Sequence, residues 1–402
     1  MTALQEHDST AGPSITDALQ AARELVPQLS ARAAQYDRDG ALPVEDLAAL
    51  RAAGLFGLMV PTRLGGSGAG FADYAQVAMA LGAGNGATAL VYNMHASVTG
   101  ALASTPDELA RAMGAPESFF TARDRILAAA ADGSFYAVAM SERGAGSRLS
   151  ALTTSYERVP DGYRIVGAKT FVSGAGHADA YLVAARTVEP GEPRVSHFLV
   201  PAGDGVSVEP TWDSLGMRAT GSHDVRLDTI VPADALLGGI EGLAVLLAHV
   251  MPQWLVASYA AVYVGVAQAA IDACAADVAA RGLGALPAIR ARIGRADAAV
   301  AGARLTVLEA ARRVDEAPGE PETNRWVWRA KLTAGQTAMD VAASMLEAAG
   351  TSASRRGHPL ERLFRDARCG SLQPATSDVC ADYLGAACLG ADPVNDAAVP
   401  RW

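Results

Sequence analysis

Ser141, Gly144, Gly146 and Ser147 fall close together in the segment SERGAGS, directly after the strand-like run SFYAVAM. Small residues at the end of a strand let backbone N–H groups approach an anion, and the two serines add hydroxyl donors, so the chemistry on offer is the cradling of a phosphate. The segment is neither G-x-G-x-x-G nor a P-loop, since no G-K-[ST] follows, and taken alone it reads more simply as a strand-to-strand turn. His95, in YNMHASV, is a titratable group that can exchange a proton near neutral pH, although on an apolar face a histidine is more often a hydrogen-bonded core residue. His177, His223 and His358 fall in turns or polar stretches without metal-ligand spacing, so no metal site is expected. The four cysteines, Cys274, Cys369, Cys380 and Cys388, form no C-x-x-C pair and suggest neither a disulfide framework nor a zinc site, which makes a reducing cytoplasm the default expectation.

The elements that must position these residues change character twice along the chain. From Ile15 to about Asp132 the pattern is helical; in ALPVEDLAALRAAG, Pro43 suits a first helical turn and Gly54 the residue past the end. SFYAVAM, LTTSYERV, YRIVGA, AYLVAARTV, RVSHFLVPA and HDVRLDTIV are short β-rich runs, and Pro160-Asp161-Gly162 is a turn signal between two of them. After Gly239 long helical patterns return, about Pro252 to Arg281, Pro287 to Glu316 and Arg325 to Ala349, with APGEPETN (317–324) as a loop and shorter helices after Pro359 and Thr376. The expected division is an N-terminal helical domain over 1–132, a central β domain over 133–238 and a C-terminal helical bundle over 239–402.

The whole-chain properties narrow the class. Of 402 residues, 50% are hydrophobic, enough for a large core. The net charge of -10 argues against nucleic acid or an anionic membrane surface as a partner. LVASYAAVYVGVAQAAI (255–271) is short for a bilayer span and carries polar residues, so it reads as a buried core helix. The N-terminal MTALQEHDSTAGPS lacks the basic start and apolar run of a signal peptide and is expected to be a loose tail.

Four blocks, SERGAGS, AKTFVSGAGHADAYLVAA, LGMRATGSHDVRLDTIVPADALLG and HPLERLFRDAR, follow in an order and spacing that resembles the acyl-CoA dehydrogenase superfamily from about Ile15 to Gly390. The resemblance implies an α+β fold of three parts and a bound flavin, FAD rather than FMN. It would place Ser141 at the ring edge, Gly146 and Ser147 at the phosphate region, Phe171 against the isoalloxazine and Ser173 near N5. Arg281, Glu347, Gly350, Thr351 and Thr376 would hold the ADP half, often across a subunit boundary, which implies a homodimer or homotetramer. His95 would lie in a helix that abuts the flavin and is the candidate catalytic acid or base. Arg218 and Arg365 can pair with Asp224, Asp366 or other carboxylates to hold the fold.

The same resemblance exposes departures. The family's catalytic glutamate comes from one of two places, occupied here by Pro374 and by Trp254 or its neighbourhood. The first expectation is an FAD-dependent oxidoreductase that oxidises the Cα–Cβ bond of an acyl-CoA or acyl-carrier-protein substrate and passes electrons to an acceptor flavoprotein. The alternative is a two-component monooxygenase of the same fold, fed by a flavin reductase; such relatives often carry a histidine near the position of Gln373. A third possibility is a flavin-binding protein with altered chemistry.

Overall fold

A computed structural model describes residues 12–191, 194–254 and 256–395; most of the expected N-terminal tail and the last seven residues of the expected bundle domain lie outside these. Six helices come first: α1 (Ile15–Asp39), α2 (Val44–Ala52), α3 (Phe71–Gly84), α4 (Gly86–Ala103), α5 (Asp107–Ala112) and α6 (Glu117–Ala131). The α1 helix starts where the Ser14 hydroxyl accepts from the Asp17 amide at 3.2 Å, and stops at Gly40, whose φ of 62° suits glycine. Its Ala18, Ala22, Leu25, Leu29 and Ala33 recur at helical spacing and are buried. The α4 helix is buried on nearly every side, packed against α3, α6, the bundle and the sheet. It therefore shows no amphipathic stripe.

The sheet has seven strands: β1 (Tyr136–Ala139), β2 (Ser155–Val159), β3 (Gly162–Val172), β4 (Ala180–Thr187), β5 (Val195–Pro201), β6 (Val206–Glu209) and β7 (His223–Val231). Its order is β1-β4-β2-β3-β7-β6, with β5 on β4. The β1–β4 and β2–β4 pairs are parallel and the others antiparallel. The run read as YRIVGA continues through Lys169 to Val172 as the single strand β3, and the short β6 is an addition to the expected set. Between Lys169 and Val172 the β3–β7 register shifts, and at this bulge Phe171 takes a φ of 58°. A bulge re-aims a side chain, here that of Phe171.

The chain then becomes helical again: α7 (Leu243–Val250), α8 (Ala257–Ala280), α9 (Pro287–Glu316), α10 (Pro321–Ala349), α11 (Pro359–Arg368) and α12 (Ser377–Cys388). The expected loop 317–324 is shorter than its composition suggests, because Pro321 opens α10 from the first helical turn, where its missing N–H costs nothing. One helical stretch, Pro252–Ala280, is long and apolar enough to cross a membrane, and 82% of its apolar window is buried inside the protein. The three parts are tied together at α11. Arg365 pairs with Asp37 of α1 at 2.6 Å, and Asp366 accepts from the Met217 amide at 2.6 Å.

Candidate active site

SERGAGS folds into a closed loop. Glu142 and Gly146 exchange both backbone hydrogen bonds at 2.9 Å, while Gly144 and Gly146 adopt φ values of 85° and 63°. The Gly146 amide is thus engaged inside the loop, and what this residue contributes is its left-handed backbone and the open space beside it. The Glu142 side chain turns inward. It pairs with buried Lys169 at 2.7 Å and accepts from the Thr153 amide at 2.7 Å, the Thr153 hydroxyl at 2.6 Å and the Thr154 amide at 3.0 Å. Burial alone would push this carboxyl up, but the Lys169 charge and the threonine donors hold it well below the usual carboxylate range. Burial draws Lys169 down, and Glu142 opposes that shift.

Beside the loop lies a cavity of about 560 Å³, with Ser141, Gly146, Ser147, Thr170, Phe171 and Ser173 on its wall. Phe171 is 61% exposed, and its ring meets Trp212 edge-on at 6.0 Å. An aromatic ring held open to solvent in a left-handed backbone is costly on its own and is of the kind found at ligand sites. Hydroxyls also line the cavity: Ser173 Oγ lies 2.9 Å from Ser222 Oγ, which lies 2.6 Å from Thr220 Oγ1. On the bundle side, Tyr259, Gln373 and Pro374 close the cavity. The Tyr263 hydroxyl donates to Gln373 Oε1 at 2.8 Å, and the Lys331 ammonium of α10 fastens the turn by donating to Gly370 O at 2.8 Å and Gln373 O at 3.2 Å. Asp213 is the one acidic residue on this wall among the described residues; it is 88% exposed and pairs with Arg218 at 2.8 Å.

A second chamber, about 170 Å³, adjoins the first and shares Met94, Val138, Met140 and Tyr259 with it. Among the described residues its wall carries no Asp, Glu, Lys or Arg. Burial holds the Tyr259 phenol up at about 12, so it is a neutral hydroxyl where the two spaces meet. Trp254, 6% exposed, forms part of the chamber wall, packs edge-on against Phe71 at 5.0 Å and lies over Gly100. A Cβ at Gly100 would collide with the indole. Gly100→Ala is therefore expected to destabilise the fold by about 1–3 kcal/mol through overpacking and to displace Trp254. An unchanged urea midpoint together with unchanged Trp254 fluorescence would contradict this packing.

The predicted site residues separate into three groups. Ser141, Gly146, Ser147, Phe171 and Ser173 share the wall of the large cavity. Arg281, Glu347, Gly350, Thr351 and Thr376 do not. Arg281 donates to Ala349 O at 2.6 Å and lies 3.2 Å from Ser352 Oγ; Glu347 pairs with Arg292 at 2.7 Å, and Thr376 caps α12. His95 lines neither cavity. Its Nε2 donates to Phe56 O at 2.8 Å and its Nδ1 accepts from the Tyr136 amide at 3.2 Å, so both ring nitrogens are used inside the core. Burial pushes its pKa down to about 4. Arg218 and Arg365 do pair with carboxylates, but with others than Asp224 and Asp366: Arg218 pairs with Asp213 and Arg365 with Asp37 and Glu361, while Asp224 meets Arg143 at 2.8 Å.

Sequence reasoning passed over His197, Trp212, Thr220, Ser222 and Tyr259. His197 sits in β5, where the run VSHFLVP is buried on both faces and offers no alternation to set one residue apart. A histidine inside such a run was the available signal. Burial first, and then the Lys169 charge, lower its pKa to about 4, so it is neutral at physiological pH. Trp212, Thr220 and Ser222 lie in the loop between β6 and β7 and reach the cavity only through the tertiary fold.

An aromatic wall, a run of hydroxyls and a glycine loop around one large cavity, joined to an apolar chamber, define a flavin-type redox site. Three family models match in series: "Acyl-CoA dehydrogenase, N-terminal domain" over residues 16–112, "middle domain" over 137–230 and "C-terminal domain" over 255–388. The chain belongs to the acyl-CoA dehydrogenase family of flavoproteins. It is 32% identical to L-evernosamine nitrososynthase of Micromonospora sp. (strain ATCC 39149 / NRRL 15099 / SCC 1413), over 96% of this chain and 92% of that one. The FMN-bound structure of TdsC from Paenibacillus sp. A11-2 superposes with a TM-score of 0.80 at 26% identity, covering 93% of this chain and 97% of the other. Butyryl-CoA dehydrogenase from Megasphaera elsdenii, at 22% identity, has the same fold with a TM-score of 0.82, covering 96% of this chain and 100% of the other.

Proposed function

We propose that this flavoprotein is a monooxygenase that receives reduced flavin from a separate reductase, in preference to an acyl-thioester dehydrogenase. The observation that carries this reading is the wall chemistry. Removing an α-proton from a thioester needs a base within hydrogen-bond reach of that proton. Among the described residues the chamber wall offers no carboxylate, and the cavity wall offers only the exposed, Arg218-paired Asp213. By the family resemblance, the places from which the family draws its glutamate fall at Pro374 and on or beside Trp254. The nitrososynthase relative and TdsC, whose structure is also described as a dibenzothiophene monooxygenase, support oxygen chemistry on this fold.

In this reading Phe171 would pack on the ring, the Ser173–Ser222–Thr220 run would meet its polar edge, and Ser141 and Ser147 would serve the ring edge and phosphate. When bound, a reduced flavin would supply the two electrons that, with two protons, let one atom of O₂ enter the substrate and the other leave as water. The apolar chamber keeps bulk water away from the reacting atoms. FMN needs only the cavity described above. The adenylate half of FAD would have to meet Arg281, Glu347, Gly350, Thr351 and Thr376 of a second copy, since these lie outside the cavity wall of their own chain.

The test has two arms. Anaerobic mixing of the oxidised holoprotein with a panel of acyl-CoAs is expected to leave the flavin band unchanged. With a reductase, NADH and air, the protein is expected to consume O₂ and to release less H₂O₂ when the chamber is filled by substrate. Anaerobic bleaching by any acyl-CoA would overturn the assignment and restore the dehydrogenase.

A further inference from the structure

Three hydroxyls on the wall of the large cavity form a chain whose proton direction is fixed at one end. Thr220 Oγ1 lies 2.9 Å from Met217 O, and since a carbonyl oxygen only accepts, the single hydroxyl proton of Thr220 is used there. Ser222 Oγ, 2.6 Å from Thr220 Oγ1, must then be the donor of that pair, and Ser173 Oγ, 2.9 Å from Ser222 Oγ, must donate in turn. Every proton of the chain therefore points away from Ser173 and toward the Met217 carbonyl. Ser173 Oγ keeps its lone pairs and has no proton left to give.

The chain is well protected. Thr220, Ser222 and Ser173 are 0%, 4% and 6% exposed, so bulk water does not compete for the bonds, and hydrogen bonds in such a series strengthen one another. Its far end is fixed as well: the Met217 amide donates to the Asp366 carboxylate at 2.6 Å. All three hydroxyl residues line the cavity, as does Phe171, two positions before Ser173, whereas Val172 between them is fully buried and is not on that wall. A ligand group that donates to Ser173 is served without rearrangement. One that accepts would require the whole chain to turn round and give up the bond from Thr220 to Met217 O.

The ring of a flavin changes character at one nitrogen in this respect. N3 carries a proton in both redox states, whereas N5 is a bare acceptor in the oxidised ring and an N–H donor in the two-electron-reduced ring. Resting on the flavin site and the monooxygenase reading above, we propose that Ser173, held as an acceptor by Ser222 and Thr220, is the residue by which the cavity takes reduced flavin in preference to oxidised flavin. A protein supplied by a separate reductase gains from this discrimination, because in air the oxidised form competes for the same cavity. Ser222 and Thr220 act through Ser173 and are positioning residues.

Binding of FMN to the full-length, flavin-stripped protein, measured in air for the oxidised form and anaerobically with dithionite for the reduced form, tests this without turnover. The wild type should bind reduced FMN about three- to tenfold more tightly than oxidised FMN, the size of one net hydrogen bond. Ser222→Ala and Thr220→Val each release the chain, so that Ser173 can also donate; oxidised FMN should then bind about three- to tenfold more tightly than it does to the wild type, with reduced FMN within about twofold. A merely structural role cannot produce such a gain. Ser173→Ala should weaken reduced FMN by the same factor and leave oxidised FMN within about twofold. By linkage the midpoint potential of the bound flavin should fall in all three variants, by about 30 mV for a tenfold change in the ratio of the two affinities. Equal weakening of both forms in Ser222→Ala and Thr220→Val would make the chain structural and overturn the inference, as would a wild type indifferent to redox state. Unchanged affinities in those two variants would also overturn it, since they would place a permanently protonated ring nitrogen at Ser173. Anaerobic bleaching by an acyl-CoA removes the monooxygenase reading but leaves this comparison of affinities standing, so the two can fail separately.

Discussion

Lys169→Met should destabilise the protein by about 3–5 kcal/mol and loosen flavin binding, although neither Lys169 nor Glu142 lines the cavity. The substitution keeps most of the side-chain volume and removes the charge, so what it leaves behind is a buried carboxylate with only Thr153 and Thr154 as donors. Breaking a buried pair from one side carries this penalty because the remaining ion is neither solvated nor compensated. The same carboxylate anchors the SERGAGS loop from beneath. A shift of its anchor propagates to Ser141 and Ser147, and the flavin dissociation constant should rise on the order of tenfold, the equivalent of about 1.4 kcal/mol. The double variant Glu142→Gln/Lys169→Met removes both charges and should be less destabilised than Lys169→Met alone. Urea unfolding of the three proteins decides the matter: a wild-type midpoint for Lys169→Met, or a double variant worse than the single, would show that the pair is not what holds the loop.

The parts of the site that were legible in the sequence are those whose geometry is local. A glycine loop after a strand needs only its own φ values and its own hydroxyls, so SERGAGS could be singled out, and AKTFVS behind it, before any packing was known. The partnership of Lys169 with Glu142 bridges β3 to that loop across 27 positions and leaves no periodic trace. The same holds for His95. Its immediate neighbours Met94 and Ala96 are apolar and uninformative, and its two ring nitrogens are satisfied by Phe56 O and the Tyr136 amide, 39 and 41 positions away.

His197 was hidden for a related reason. The amphipathic alternation that marks a half-exposed strand is absent from β5, because that strand is covered on both faces. At the other extreme, the composition around Pro321 suggests a loop although this residue begins a helix, since a proline breaks a helix only after its first turn. Fold class is recovered from such patterns because it depends on many residues at once. A binding site depends on a few side chains brought together by long-range packing, and one misplaced histidine changes the chemistry inferred.

The same histidine sets the acid limb of the stability curve. In the folded protein burial holds the His95 pKa at about 4, against about 6.5 in the unfolded chain. Because the folded-state value is depressed, the unfolded state binds the extra proton first as pH falls. The stabilisation is therefore complete above about pH 6.5 and is lost progressively down to about pH 4. One pKa unit corresponds to about 1.4 kcal/mol, so His95 alone should remove about 2 kcal/mol between about pH 7 and pH 5, and about 3 kcal/mol by pH 4. His197 acts in the same direction. Glu142, whose carboxyl is held well below the usual range in the fold, loses its contribution only as pH falls through the ordinary glutamate range near 4.5 and below, so it adds little between pH 7 and pH 5. His95→Gln cannot take up the proton, whatever its own effect on packing. Its urea midpoint should accordingly fall less steeply than that of the wild type between pH 7 and pH 5, by a difference of about 2 kcal/mol. If the two curves run parallel, His95 is not held neutral by burial, and the sealed core position described for it fails.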